Sequence, residues 1–354
     1  MKALVLAGGS GTRLRPLSHS LPKQLIPIAN RPVLRHVLDN IEALGITDIG
    51  VIVGDRGPEI AEAVGDGSRQ GLRITYIPQE APLGLAHCVL IARDFLGDDD
   101  FLMYLGDNML PEGIAPIAAA FEADRPAAQV LVQKVAEPSA FGVAELSTAS
   151  EVVRVVEKPE QPSSDLALVG VYFFTAAVHR AVAAIRPSGR GELEITDAVQ
   201  WLVDQGEAVR ASEYQGYWKD TGRVDDVLDC NRRLLGGLTP RIEGDVDAET
   251  VLEGPVVVEP GAQVARSRIR GPVIVGAEAV VEDSTLGPHT SIGRECRLSR
   301  AGIADSIALD GVHIPGVGGL HGSVIGRSSV VGPPGAEAQH RLIVGDHSIV
   351  EVGA

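Results

Sequence analysis

Met1-Lys2-Ala3-Leu4-Val5-Leu6-Ala7-Gly8-Gly9-Ser10-Gly11-Thr12-Arg13-Leu14 opens the chain. A short apolar run that stops at a glycine-rich turn reads as a buried parallel strand delivering a backbone loop to one edge of a sheet. Without Cβ atoms in the way, successive N–H groups of such a loop can point into one concavity, which suits a phosphate. Arg13, two residues past Gly11, adds a forked cation. The loop lacks the third glycine of a dinucleotide fingerprint and the closing Gly-Lys-Ser/Thr of a P-loop, so neither motif applies. On these residues alone it is a phosphate cradle or a tight strand-to-helix turn without a ligand.

Working outward, Pro22-Lys23-Gln24-Leu25-Ile26-Pro27-Ile28 precedes a stretch, 32–41, whose apolar positions share one helical face. The prolines predict a stiff, non-helical backbone around Lys23, which is then either a solvated side chain or a placed cation. Strands are predicted at 49–53 and 72–77, with a helix at 58–64 between them. This alternation argues for an α/β fold, a doubly wound, mainly parallel, Rossmann-like sheet with ligands at the carboxyl ends of its strands. At such ends stand Gln79, whose amide can read a base edge, and Gly84, which lets a base approach backbone. The run Phe101-Leu102-Met103-Tyr104-Leu105 ends in Gly106-Asp107-Asn108. There Asp107 is either a carboxylate for a divalent metal or a turn or capping residue.

Further along, 139–146 and 152–156 read as a hairpin leading into Glu157-Lys158-Pro159, whose proline predicts an extended Lys158. A buried strand at 168–175 follows, then Arg190-Gly191-Glu192-Leu193-Glu194-Ile195-Thr196-Asp197 opening a helix at 198–205. Tyr217-Trp218-Lys219-Asp220-Thr221-Gly222 presents a second isolated carboxylate. Taken singly, Glu157 and Lys158 could be an ion pair and Asp220 a cap.

Together, in order and spacing, six of these stretches resemble the sugar-1-phosphate nucleotidylyltransferases: 8–14, 22–25, 105–108, 157–159, 191–197 and 218–222. Within that family the chain is most similar to the branch that transfers a thymidylyl group from dTTP to glucose 1-phosphate, in its longer form. That branch supplies precursors for deoxysugars, antibiotics or polysaccharides. The resemblance covers residues 1–238. Two positions depart from shorter relatives: Phe141, where they carry tyrosine, and Leu83, where they carry an acidic residue.

The resemblance implies in-line attack of a sugar 1-phosphate on a nucleoside triphosphate, with Mg²⁺ as cofactor and pyrophosphate released. It places Gly8, Gly9, Ser10, Gly11 and Thr12 on the nucleotide, with Gln24, Gln79, Gly84 and Asn108. Arg13 would meet the departing pyrophosphate and Lys23 the α-phosphate. Asp107 and Asp220 would hold the metal. Gly142, Glu157, Lys158 and Arg190 would bind the sugar phosphate, with Lys158 screening the repulsion between two anionic substrates. A UTP- or GTP-dependent enzyme is the alternative inside the family. Outside it stands a non-catalytic regulatory or scaffold protein, against which the retained Arg13, Lys23, Asp107, Lys158 and Asp220 argue.

From about Gly236 helical patterns give way to Gly, Val, Ile and Pro. Leu252, Ile269, Leu286, Ile303 and Leu320 recur every 17 residues. Val258, Val275, Ile292 and Leu309 form a second register, and Val264, Val281 and Leu298 a third. Steps of six, six and five imply three flat faces per coil, a β-helix solenoid sharing one core. The spacing is similar to the hexapeptide repeat of left-handed β-helices, so a second domain is expected over 239–354. Gly276, Gly287, Gly293, Gly326 and Gly345 are expected at its corners, and 317–319 and 333–335 interrupt it. Since related solenoids host acyltransferases with a histidine base, His289, His313, His321, His340 and His347 are candidates on paper. Solvated corner histidines are the ordinary case, and a role in oligomerisation or end-covering suits the segment better.

Composition bounds the rest. The chain has 354 residues, 45% hydrophobic and 22% charged, with a net charge of −16 and no basic block. This argues against nucleic acid or an anionic membrane as partner. The resemblance implies a nucleoside triphosphate and a sugar 1-phosphate as partners, and the C-terminal extension leads us to expect a homo-oligomer. Cys88, Cys230 and Cys296 are too scattered for a disulfide framework or zinc site, which points to a reducing cytoplasm. The run 1–7 is too short for a signal peptide, and no stretch approaches the ~20 apolar residues of a membrane span.

Overall fold

The computed structural model describes residues 1–332. His340, His347, Gly345 and the interruption at 333–335 lie outside the described residues. The described residues sort into two compact units, one made of Met1–Ser10 and Val33–Asp220, the other of Gly11–Pro32 and the described chain from Thr221. Residues 11–32, expected within a domain spanning 1–238, thus group with the C-terminal chain.

The first unit is an α/β body around a nine-stranded sheet. At its centre, Phe101–Leu105, Lys2–Leu6, Asp48–Val53 and Arg73–Pro78 lie side by side and parallel, with Leu4 opposite both Gly50 and Met103. Ala3, Leu4 and Val5 are fully buried, so both faces of this strand are covered, as a continuous apolar run requires. Leu4 and Leu6 join a core cluster with helical residues such as Val89, Val178 and Val199. Beyond Phe101–Leu105 two antiparallel pairings follow, Leu166–Phe174 with it and Ala128–Lys134 with Leu166–Phe174, and Val209–Glu213 closes that side parallel to Ala128–Lys134. The expected hairpin is present as Gly142–Leu146 with Val152–Glu157. The helix Ile195–Asp204 packs on its outer strand. The carboxyl ends of the central strands deliver Gly8, Gly54, Gln79 and Asp107 to one edge.

In the second unit the helix Val224–Leu235 leads into three parallel sheets that hold, among the described residues, six, five and five short strands, the expected β-helix. Leu252, Ile269, Leu286, Ile303 and Leu320 stand in one register and point into one core. Val258, Val275 and Ile292 follow, but Ile292 pairs with Ala308 rather than the expected Leu309. Leu298 likewise pairs with Ile314, so one coil is 16 residues long. The five-residue step has moved to 303–308, and small Ala308 takes the inward place while Leu309 is buried outside the core cluster.

The corners differ from expectation too. Gly261, Glu278, Glu295, Gly311 and Ser328 occupy one corner with φ between 54° and 76°, so mostly non-glycine residues take the left-handed conformation. Gly276, Gly287, Gly293 and Gly326 have no such φ. Gly276 is glycine because coils stack closely there: a Cβ would lie 2.6 Å from the backbone of Gly293.

Candidate functional site

The stem of the opening loop is packed backbone to backbone. A Cβ on Gly54 would approach the Gly8 carbonyl to 3.0 Å, and one on Gly8 would come within 3.3 Å of Gln79 Oε1. Gln79, just past Arg73–Pro78, therefore lays its amide across Gly8. Its Nε2 lies 3.1 Å from His87 Nδ1 and 3.4 Å from the Gly84 carbonyl. Gly84 has φ +103°, and a Cβ there would meet the Leu193 carbonyl at 2.4 Å. Leu193 N–H donates to the Leu83 carbonyl and Ala86 N–H to the Leu193 carbonyl, so the 191–197 stretch is stitched to the turn that carries Gly84. Leu83 projects into solvent.

Past Ser10 the loop enters the second unit. Gly11 has φ +63°, its carbonyl accepts from Ser18 Oγ at 2.7 Å, and the single 3-10 turn Thr12–Leu14 follows. A Cβ on Gly11 would stand 3.0 Å from Lys23 Cβ, so this loop residue rests on the lysine's stem. Lys23 itself lies in a 3-10 turn, Lys23–Leu25, not in the non-helical segment expected. Pro22 ahead of it supplies a fixed φ and needs no N–H at a helix start, so the proline opens the turn instead of forbidding it. Gln24 is buried, and its Oε1 has no hydrogen-bond partner among the described residues. Arg13 is exposed.

The segments that carry Asp107 and Asp220 are joined by a two-residue antiparallel ladder, Asn108–Met109 with Lys219–Asp220, in which Asp220 stands opposite Asn108. Asp107 and Asn108 are 8% and 3% exposed. Asn108 donates Nδ2 to Asp107 Oδ1 at 3.1 Å and accepts from Trp218 Nε1 at 2.6 Å. Trp218, quoted in the sequence without a role, is thus the anchor of Asn108, and Phe141 meets its ring edge-on at 5.2 Å. An aromatic two residues from an aspartate carried no signal of this, because the partner is 110 residues away. Among the described residues no group of three or more His, Cys, Asp or Glu is arranged to hold a metal by itself. Asp107 and Asp220 are oxygen donors, the type a hard divalent cation takes.

A third cluster lines a groove of about 670 Å³ between the strand Val152–Glu157 and residues 188–197. Arg190 reaches Glu194 at 2.9 Å and Glu157 at 3.3 Å, Lys158 lies 3.5 Å from Glu157, and Thr196 Oγ1 donates to Glu157 Oε2 at 3.2 Å. A Cβ on Gly142 would strike Thr196 at 2.7 Å and lie 3.3 Å from Glu157 Oε2. Burial pushes the Glu157 carboxyl above its usual range, with Lys158 and Arg190 pulling the other way. Glu194, buried and holding both Arg190 and Ser188, was quoted in the motif without this function.

Lys158 corrects a second expectation. Its φ is +40°, in the left-handed region, and not extended as Pro159 would favour. The Lys158 N–H donates to the Phe141 carbonyl at 3.0 Å, a tertiary bond that outweighs the local pre-proline preference. Strain of this kind persists where the surroundings over-determine it, and binding sites are where it concentrates.

Of the solenoid histidines, His321 lies 3.9 Å from Asp305, and His313 N–H completes a coil bond to Ser329. All three cysteines are buried and free, with Cys88 pushed up to about 12 by burial. Among the described residues no helix is long and apolar enough to cross a membrane.

A nucleotidyl transferase family model matches residues 2–236. Over the whole length, the chain is similar to a glucose-1-phosphate thymidylyltransferase of Streptomyces griseus, 53% identical with 100% of both chains covered. It is also similar to one of Streptomyces antibioticus, 55% identical with 99% of each covered. A solved Bacillus anthracis structure named for the same activity is 33% identical with a TM-score of 0.61, covering 65% of this chain and 94% of that one.

Proposed function

The chain belongs to the nucleotidyl transferase family, and from that premise we propose how its own residues carry the reaction. The activity is thymidylyl transfer to glucose 1-phosphate. A phosphate oxygen of glucose 1-phosphate attacks the α-phosphorus of dTTP. The bond from that phosphorus to the bridging β-oxygen breaks, and pyrophosphate leaves with the electron pair. The nucleophile is already anionic near neutral pH, so no strong general base is required. The protein has to align two anions and neutralise the leaving group.

Gly8 to Thr12 offer backbone N–H groups to the triphosphate. Arg13 takes up charge developing on pyrophosphate, and Lys23 meets the α-phosphate. Gln79 and Gly84 contact the pyrimidine, with Gln24 and Asn108 completing the nucleotide contacts. Gly142, Glu157, Lys158 and Arg190 bind the hexose phosphate. Asp107 and Asp220, both oxygen donors, would hold Mg²⁺. When bound, such an ion would supply neutralisation of phosphate charge. A homo-oligomer in a reducing cytoplasm is the setting we assign, which three buried free thiols suit.

The observation that supports this assignment of residues best is the ladder setting Asp220 opposite Asn108, because it turns two carboxylates 113 positions apart into neighbours of one residue. Initial rates of pyrophosphate release across four nucleoside triphosphates and several sugar 1-phosphates test it. The pair dTTP and glucose 1-phosphate should be fastest. UTP should trail by only about fivefold, since one methyl contact is worth about 1 kcal/mol. Release with GTP alone would contradict the assignment.

A further inference from the structure

The segment that carries Lys23 is tied on both sides to the helix Val224–Leu235 and to the solenoid. Downstream, the turn Ala29-Asn30 joins the paired strands Pro27–Ile28 and Arg31–Pro32, with φ of 51° and 59° at its two residues. Such a turn prefers Asn-Gly, and an alanine in its first position holds its shape only if neighbours enforce it. They do so here. Ala29 N–H donates to Asn231 Oδ1 at 2.9 Å, and Asn30 Nδ2 donates to the Ile292 carbonyl at 2.7 Å. Asn231 is itself fixed, because its Oδ1 also accepts from Ser291 Oγ at 2.8 Å and its Nδ2 donates to the His289 carbonyl at 3.2 Å. Ala29 further packs against Leu235, Val257 and Ile274. The next residue of the helix, Arg232, forks onto Asp305 at 2.6 and 2.7 Å and so locks the helix to the coils. Upstream, Arg327 of a later coil donates to the Ser20 carbonyl at 3.0 Å.

Lys23 sits between these ties, three residues from Ser20 and six from Ala29. We infer that the solenoid sets the position of the Lys23 ammonium, with Asn231 and Asn30 as positioning residues that act through Lys23 and touch no substrate. The inference rests on the assignment of Lys23 to the α-phosphate. The helical turn at Lys23–Leu25 is short, and a lysine stem is flexible, so its aim depends on where the backbone at both ends is held. A shift of about 1 Å in such a group can cost on the order of 10²-fold in rate.

The test is a cycle on the full chain. Asn30→Gly removes the bond to Ile292 while suiting the left-handed backbone, so the fold should be kept. It should lower kcat about 10-fold and leave the KM for glucose 1-phosphate within about twofold. In a Lys23→Ala background the same change should cost nothing further, since the residue it positions is gone. Asn231→Ala is the second variant and should show the same dependence on Lys23. Wild-type kcat in Asn30→Gly and Asn231→Ala, or equal losses with and without Lys23, would overturn the inference while leaving the role of Lys23 intact. An unimpaired Lys23→Ala would remove that role and the inference with it.

Discussion

Asp220 faces Asn108 across a two-residue ladder, and Asn108 in turn holds Asp107 by a 3.1 Å hydrogen bond. If both carboxylates neutralise the same phosphate charge through a cation, each is needed at full charge. Asp107→Asn and Asp220→Asn should each lower turnover by at least ~10² with secondary structure unchanged by circular dichroism. Near-normal turnover of either variant in Mg²⁺ would remove the metal assignment.

Trp218 anchors Asn108 through its indole N–H. Trp218→Phe keeps the ring against Phe141 but leaves the Asn108 carbonyl oxygen without that donor. A loss of about 1–2 kcal/mol in urea unfolding is expected, with kcat falling more than the KM for glucose 1-phosphate. An unchanged midpoint would show that water replaces the indole.

Burial raises the pKa of Glu157 in the folded protein relative to its ordinary value of 4.5. The folded state therefore holds this proton more tightly than the unfolded chain does. The group's contribution to stability is complete below the unfolded pKa and is lost as pH rises through the folded value. Glu157→Gln, uncharged throughout, should raise Tm relative to wild type at pH 7 and lose that advantage near pH 4. Sugar-phosphate affinity should fall. A Tm difference that does not change with pH would contradict this.

Gly84 combines φ +103° with a Cβ position 2.4 Å from the Leu193 carbonyl. Gly84→Ala should destabilise the protein by more than about 1 kcal/mol and raise the KM for dTTP, as the turn separates from the 191–197 stretch. Thermal melts with saturating and absent nucleotide distinguish the two effects.

What could be read from residues alone was whatever depends on short-range pattern. The apolar run ending at Gly8, the alternation of strands and helices, and the 17-residue recurrence from Leu252 to Leu320 are local regularities with one good structural solution each. The misses arise where a distant partner decides. Lys158 is left-handed because Phe141 takes its N–H, and the one-residue slip that puts Ala308 inside is visible only once coils stack. Residues 11–32 follow the first strand in sequence and share a compact unit with the β-helix, a grouping made by distant partners. Of the candidate residues, Asp107, Asn108 and Asp220 are brought together by a ladder, and Glu157, Lys158 and Arg190 by ion pairs. Trp218, Glu194 and Thr196, which hold them, are polar or aromatic residues with no distinguishing spacing.

The most direct measurement is ³¹P NMR of the full chain with dTTP, Mg²⁺ and glucose 1-phosphate carrying ¹⁸O in its phosphate group. Attack on the α-phosphorus predicts dTDP-glucose and pyrophosphate in equal amounts, with all of the label in the sugar nucleotide and none in pyrophosphate. Orthophosphate as the product, label in pyrophosphate, or no change in the spectrum would contradict the account.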